Sequence, residues 1–342
     1  MNRIYWLDAT RAFAILLVVF THAHEQAGIS NEMLRSVFYS IDRLGVPLFF
    51  MISGGLILPR LANTKMLDFY KKRIPQFIIL LVIYSVITNS FMMYSLGNGV
   101  VDSFIFSLKN HNGIYPADYG GAAQMWFMYS IIGMYLIAPF LSKMVTNCST
   151  IEIIYFIIVC ILLNQLKTTL PLVGVEWGLL YRLGTDMTGP YLVFFLTGYV
   201  IINREKDLIK PLSNKLINTF LLILPITVLI YIDTTNGKMN ESLHWYSLSI
   251  FIYISSVGLL LLIKSVMKKS DNNIVISLSK ASFGIYLSHY AFIYISVCIF
   301  GKQLNSMGEV PKAISLFYFS LICSYIFSIL LSKNRITRYF VQ

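Results

Sequence analysis

Long apolar stretches, separated by short polar segments, occur along the whole chain. A helix needs about 20 apolar residues to cross the hydrocarbon core of a bilayer, because each residue advances the helix by about 1.5 Å. Ten stretches reach or approach this length: residues 5–21, 44–58, 74–96, 124–145, 151–166, 189–203, 216–232, 243–263, 281–300 and 313–331. The pattern predicts an all-α polytopic membrane protein, with about ten transmembrane helices around a polar cavity.

The composition argues against a soluble globular protein. Of the 342 residues, 56% are hydrophobic and 13% are charged, whereas soluble domains contain about 25% charged residues. The net charge of +11 would by itself suggest a nucleic-acid partner, but the cations cluster in short segments between apolar stretches. Such clustering is typical of membrane proteins. We therefore expect the lipid bilayer as a partner and no nucleic acid.

The distribution of lysine and arginine predicts the orientation in the membrane. With both termini and the even-numbered connecting segments placed in the cytoplasm, that side carries 18 of these residues and the opposite side carries 8. Because such an excess marks the cytoplasmic side, we expect a multi-pass protein of the plasma (inner) membrane with both termini cytoplasmic. A single transmembrane domain is predicted over residues 4–331, followed by a short basic cytoplasmic tail over residues 332–342.

The first apolar stretch carries three residues that are costly at membrane depth: Asp8, Arg11 and His22. Asp8 and Arg11 are three residues apart, so they can pair on one helix face. His22 follows Arg11 by eleven residues, which returns it to nearly the same face about 16 Å further along the helix. His24 points away from this face, and we expect it to be an exposed loop residue.

This spacing suits a reaction that crosses a membrane. Arg11, oriented by Asp8, can hold the phosphates or pantetheine of an acyl-coenzyme A near the cytoplasm. His22 can act on an acceptor hydroxyl, either as a base or by carrying the acyl group covalently. The simpler alternative is an interfacial ion pair next to an interfacial histidine.

Six stretches in order along the chain resemble the membrane acyltransferase-3 family. They are IYWLDATRAFAILLVVFTH, GVPLFFMISGGLI, FYKKRIPQF, MWFMYSIIGMYLIAPFL, FFLTGYVI and SFGIYLSHYAFI. The resemblance is greatest to the type that O-acetylates enterobacterial common antigen or O-antigen. It implies transfer of an acetyl group from acetyl-CoA to a hydroxyl of an extracytoplasmic sugar, without a metal. It also implies that His22 is the catalytic histidine and Arg11 its essential partner.

Further candidates fall into a donor-binding set and an acceptor-binding set. The donor-binding set adds Lys72, Arg73 and Ser53 to Arg11; Lys72 also suits a membrane anchor, and the small residues beside Ser53 also suit close helix packing. The acceptor-binding set contains Trp126, Glu176, Tyr286 and His289. For these four the alternatives are an aromatic belt, a solvated loop carboxylate and packing against a neighbouring hydroxyl.

These observations predict a membrane O-acyltransferase. It would move an acetyl group from acetyl-CoA to a hydroxyl of a cell-surface polysaccharide or of its polyprenyl-linked precursor. The alternative is an exporter or flippase for a polysaccharide intermediate, without catalytic activity. An exporter shares the apolar chain and the polar cavity, but it does not need a histidine aligned with an arginine.

Overall fold

The computed structural model describes residues 3–109, 122–177, 189–207, 214–246, 248–267 and 272–342. Within these ranges the regular structure is helical and no strand occurs. The α-helices in chain order are α1 (Tyr5–Ala27), α2 (Glu32–Asp42), α3 (Gly45–Leu61), α4 (Met66–Ser95), α5 (Val100–Lys109), α6 (Trp126–Asn147), α7 (Thr150–Ile161), α8 (Lys167–Leu172), α9 (Leu192–Asn203), α10 (Lys215–Asn236), α11 (Ile250–Val266), α12 (Asn273–Asn305) and α13 (Glu309–Lys333). The prediction of an all-α protein is confirmed.

Eight helical stretches in the described ranges are long and apolar enough to cross a membrane. They are Tyr5–Ala27, Glu32–Leu61, Met66–Ser95, Ala123–Asn147, Thr150–Leu172, Lys215–Asn236, Asn273–Asn305 and Glu309–Lys333. Two further apolar helices are shorter: α9 has 12 residues and α11 has 17. Each of the ten predicted stretches overlaps one of these ten elements in chain order, so the polytopic membrane fold is confirmed. The number of complete crossings stays a prediction.

Helix boundaries differ from the prediction where capping residues act. The eighth stretch was expected to begin at residue 243, but α11 begins at Ile250. Ser249 has an extended backbone, and its hydroxyl accepts a hydrogen bond from the backbone N–H of Ile252, which stops the helix from extending further back. The helices α2 and α5 lie in segments predicted as connections, because both are too short to satisfy a criterion based on apolar length.

Helix α13 has polar residues on its inward side and apolar residues on its outward side, the opposite of a helix at the surface of a soluble protein. Its inward side carries Ser320, Ser324 and Ser328, which are at most 2% exposed. Its outward side carries the apolar residues Ile322 and Leu330, which are 53% and 57% exposed. Serines at intervals of four residues allow close helix contact, while the exposed apolar side needs a nonpolar surrounding. This arrangement supports a lipid environment independently of composition.

The described helices fall into two compact units that interleave along the chain. Unit 1 comprises Met1–Leu17, Asn31–Met66 and Met134–Ile276. In unit 1, α3 packs against α9, and α10 packs against α11 and α2.

Glycines allow α3 and α9 to approach each other closely. A Cβ atom on Gly54 would lie 1.9 Å from the carbonyl oxygen of Phe195, and a Cβ atom on Gly198 would lie 1.9 Å from that of Met51. Only glycine fits at both contacts. The small residues of the FFMISGG stretch therefore serve helix packing, which is one of the two uses expected from the sequence.

Unit 2 comprises Val18–Ser30, Leu67–Gly133 and Ser277–Gln342. It includes the C-terminal residues, which pack against α4. The side-chain amide of Gln76 donates a hydrogen bond to the carbonyl oxygen of Gln342 (2.7 Å), and the hydroxyl of Tyr84 donates one to that of Phe340 (2.9 Å). Val341 is completely buried. The segment predicted as a basic tail is thus anchored to unit 2.

Candidate active site

His22 lies near the end of α1 and belongs to unit 2. Its Nδ1 atom is 2.8 Å from a carboxylate oxygen of Glu25, one helical turn later. Because a carboxylate only accepts hydrogen bonds, this contact places the imidazole proton on Nδ1 and leaves a lone pair on Nε2. No described residue forms a hydrogen bond with Nε2. An imidazole oriented in this way can accept a proton or attack a carbonyl carbon through Nε2.

One of the predicted acceptor-binding residues contacts His22, and a second lies beside it on the same helix. The ring of His289, from α12, stacks on that of His22 with centroids 5.4 Å apart and an angle of 29° between the rings. Tyr290 meets the His22 ring edge-on at 4.8 Å. Tyr286 lies one turn before His289 on the same helix, with a centroid distance of 6.3 Å between the two rings. The fold therefore brings His22, on α1, to the part of α12 that carries Tyr286 and His289, although α1 and α12 are far apart in sequence.

Trp126 is connected to this group through its chain neighbours. It is half-buried at the first residue of α6. Gln124, two residues earlier, accepts a hydrogen bond from the Tyr286 hydroxyl through its backbone carbonyl (2.8 Å), and the ring of the next residue, Phe127, lies 5.2 Å from that of Tyr286. Trp126 thus occupies the same part of unit 2 as Tyr286.

Asp8 and Arg11 lie in the part of α1 that belongs to unit 1. The charge of Asp8 acts on Arg11 electrostatically, but the two hydrogen bonds printed for the carboxylate come from Arg3, at 2.5 and 3.1 Å, so a direct pair between Asp8 and Arg11 stays a prediction. Arg3 is partly exposed before the helix begins and reaches the carboxylate at little desolvation cost. The hydrogen bond to Asp8 raises the pKa of the Arg3 guanidinium above its usual value.

Arg11 is half-buried and has no hydrogen bond or ion pair with any residue that the structure describes. A cation at membrane depth is costly without a counter-ion. The charge of Asp8 acts on Arg11 electrostatically, and the guanidinium forms no hydrogen bond with the described residues.

The remaining donor-binding candidates are distributed over both units. In unit 2, Lys72 is exposed on α4, and Arg73 is half-buried and donates a long hydrogen bond (3.4 Å) to the side chain of Gln76. In unit 1, Ser53 is half-buried on α3, next to the glycine contacts with α9.

Glu176 follows α8 and is exposed, with no hydrogen bond or ion pair to the described residues. The adjoining residues 178–188 lie outside the described ranges.

Sequence reasoning missed Glu25 and misplaced His24. Glu25 follows His22 by three residues, the same spacing that was noted for Asp8 and Arg11, so a sequence signal was present. His24 was expected to be exposed, but it is only 1% exposed and its ring lies 5.5 Å from that of Phe20. That expectation is wrong because α1 continues to Ala27, so position 24 lies on a packed helix.

The comparisons with known proteins are consistent with this arrangement. A model of the acyltransferase-3 family, described as an acyltransferase domain, matches residues 4–332. Neither the curated proteins nor the solved structures include a significant match. The family match spans nearly the whole chain, including His22, Tyr286 and His289. The chain therefore belongs to the acyltransferase-3 family and is a multi-pass membrane acyltransferase.

Proposed function

We propose that the protein transfers an acetyl group from acetyl-CoA to a hydroxyl of a cell-surface polysaccharide or of its polyprenyl-linked precursor, in the plasma (inner) membrane. The single observation that carries this proposal is the pairing of His22 with Glu25. A carboxylate at Nδ1 and an open Nε2 are what a histidine needs in order to activate a hydroxyl group.

The proposed reaction is direct transfer. His22 Nε2 accepts the proton of the acceptor hydroxyl while the hydroxyl oxygen attacks the thioester carbonyl carbon. The carbon–sulfur bond then breaks, and the departing thiolate takes the proton from His22 to give the free thiol of coenzyme A. Glu25 stabilises the positive charge that His22 carries between these two proton transfers.

On the donor side, Arg11 is proposed to bind a phosphate or carbonyl oxygen of acetyl-CoA. Its guanidinium is unpaired among the described residues and suits anionic oxygen atoms. Asp8 accepts hydrogen bonds from Arg3 and acts on Arg11 electrostatically, and the N–H donors of Arg11 form no hydrogen bond with the described residues. Arg73, Lys72 and Ser53 are proposed as further donor contacts.

On the acceptor side, we propose that the sugar meets Trp126 and Tyr286. An aromatic ring offers a sugar an apolar face, and Trp126 is half-buried in the same part of unit 2 as Tyr286. Glu176 is proposed to contact sugar hydroxyls from its exposed segment.

The test is transfer of radiolabelled acetyl from acetyl-CoA to surface polysaccharide, in membranes that contain equal amounts of each variant. We expect the wild type to label the polysaccharide and His22→Ala to lose about 10² to 10⁴ of the rate, the range a positioned base contributes. Arg11→Ala should chiefly raise the KM for acetyl-CoA. Gln26→Ala, a change at a half-buried position on the same helix, should keep most of the activity.

Two outcomes would contradict the proposal. If the wild type gives no label, either acetyl-CoA is not the donor or acetyl transfer is not the activity. Equal labelling by the wild type and His22→Ala would remove the catalytic assignment. A strain that lacks the protein should still display its polysaccharide without the acetyl ester, whereas loss of display would favour the export alternative.

A further inference from the structure

The histidine at position 289 is held in one tautomer by the backbone of its own helix. Its Nδ1 atom lies 2.8 Å from the carbonyl oxygen of Tyr286 and 3.0 Å from that of Ile285. Carbonyl oxygens only accept hydrogen bonds, so Nδ1 must carry the proton. The Nε2 atom is therefore a bare acceptor.

This bare acceptor is buried without a partner. His289 is 0% exposed, and its Nε2 atom has no hydrogen bond to any described residue. Buried polar atoms in folded proteins are nearly always hydrogen-bonded, and an unsatisfied one costs free energy. The position thus calls for a hydrogen-bond donor that the described protein does not supply.

A second buried acceptor belongs to Gln124, whose backbone contacts Tyr286. The side-chain amide nitrogen of Gln124 donates to the hydroxyl of Thr88 (3.2 Å), and the side-chain oxygen of Gln124 is buried without a hydrogen bond to the described residues. The backbone of Gln124 also accepts the hydrogen bond from Tyr286. Two unsatisfied acceptors near one tyrosine suit a ligand that presents several O–H or N–H groups.

The two stacked imidazoles have different partners at Nδ1. His22 has the carboxylate of Glu25, which can stabilise a positive ring, whereas His289 has neutral carbonyls. A positive His22 would also repel a positive His289, because their centroids are 5.4 Å apart. His22 is thus suited to take up a proton, and His289 is suited to stay neutral and accept a hydrogen bond.

We propose that His289 is a substrate-positioning residue, whose Nε2 atom accepts a hydrogen bond from an O–H or N–H group of a bound substrate and holds that substrate against His22. This inference rests on the proposed acetyl transfer. In either case the bound substrate supplies a hydrogen-bond donor to Nε2 of His289. It can come from a hydroxyl of the acceptor sugar or from an amide N–H of the pantetheine arm.

Two substitutions separate this role from a structural one. The side-chain N–H of His289→Asn can replace the Nδ1 donor to the helix backbone, but asparagine has no acceptor at the Nε2 position. His289→Gln extends an amide oxygen toward that position. Both variants remove the imidazole ring and its stacking. They differ in the acceptor at the Nε2 position and in the donor to the helix backbone, and a measurement of stability separates these two effects.

The experiment measures kcat, the KM for acetyl-CoA, the KM for the polysaccharide acceptor and the thermal stability of the full-length wild type and both variants. We expect His289→Asn to raise one KM about 5- to 10-fold, the effect of one hydrogen bond. His289→Gln should restore that KM to within about threefold of the wild type, and the two variants should be equally stable. A higher KM for the acceptor would identify a sugar hydroxyl, and a higher KM for acetyl-CoA would identify a pantetheine amide.

Three results would overturn the inference. His289→Asn could match the wild type in both KM values. Both variants could lose stability and activity in parallel, which would show a structural role only. Absence of transfer by the wild type would overturn the proposed function together with this inference, whereas the first two results leave the proposed function intact.

Discussion

Glu25 determines what His22 can do at the scale of single residues. A histidine without a partner at Nδ1 can adopt either tautomer, but the carboxylate 2.8 Å away selects the one with Nε2 free. The same carboxylate lowers the energy of the imidazolium that forms during proton transfer. In the proposed reaction, Glu25 therefore acts through His22 as a positioning residue.

The first prediction concerns this carboxylate. Glu25→Ala should lower kcat on the order of 10²-fold, because the histidine loses both its orientation and its counter-charge. Glu25→Gln should give an intermediate rate, since an amide oxygen still accepts the Nδ1 proton without supplying a charge. Initial rates of acetyl transfer at saturating acetyl-CoA measure the effect.

The matched control is Gln26→Ala, one residue further along α1 and also half-buried. It should leave kcat within about threefold of the wild type, as changes away from such a contact generally do. A kcat for Glu25→Ala equal to that of the control would remove Glu25 from the mechanism.

At the scale of elements, close contact between α3 and α9 depends on the absence of side chains. Met51 and Phe195 present backbone carbonyls to Gly198 and Gly54 at distances where no Cβ atom fits. The two helices consequently lie closer together than larger residues would allow.

The second prediction tests this contact. Gly198→Ala should destabilise the protein by about 1–3 kcal/mol or more, because its Cβ would lie 1.9 Å from the carbonyl oxygen of Met51. Gly133→Ala is the matched control, since nothing lies within 4 Å of the added Cβ on α6. Thermal unfolding of the purified protein in detergent should show a lower Tm for Gly198→Ala alone. Equal Tm values for both variants would contradict the close contact.

A second element-scale feature is a buried polar cluster that ties α2 to α10 and the segment after it. The carboxylate of Asp233 accepts hydrogen bonds from the Ser36 hydroxyl (2.6 Å) and from the backbone N–H of Asn240 (3.0 Å), and it lies 2.7 Å from Nε2 of His244. Every side chain of the triad Ser36, Asp233 and His244 is at most 3% exposed. Because the carboxylate is fully engaged, it can be accommodated at the end of an apolar helix.

At the scale of the whole molecule, the exposed apolar side chains and the uneven distribution of cations together suit a bilayer with a defined orientation. The helices α10 and α13 bury only 28% and 22% of their most apolar windows, so most of each window is available to lipid. The 18 lysine and arginine residues assigned to the cytoplasmic side outnumber the 8 on the other side.

The third prediction concerns this orientation. In a variant whose native residues Cys148, Cys160, Cys298 and Cys323 are replaced by alanine, we expect Lys238→Cys to react with a membrane-impermeant maleimide in intact cells. Arg335→Cys should react only after the membrane is permeabilised. Both positions are exposed in the structure, so burial does not limit labelling. The reverse pattern would place the termini outside and contradict the predicted topology.

Local patterns made much of the fold and part of the site predictable. Apolar length located ten elements, since a bilayer imposes a minimum length on each crossing. Family motifs directed attention to His22, Tyr286 and His289. The helices α2 and α5 were not predicted because both are too short to satisfy a criterion based on apolar length. The ion pair between Asp8 and Arg3 was not predicted because several cations lie near Asp8 in the sequence, and only the folded geometry showed this contact.

The sequence by itself therefore determined that this chain is a helical membrane protein with a polar group at depth in its first helix, because spacing along a helix and transfer into lipid are local properties. Only the tertiary structure decided that His22 stacks on His289, that Tyr286 binds the backbone at Gln124, and that Nε2 of His289 lacks a partner among the described residues. These contacts join residues from different helices. They depend on how the helices pack, and spacing within one helix does not report that packing.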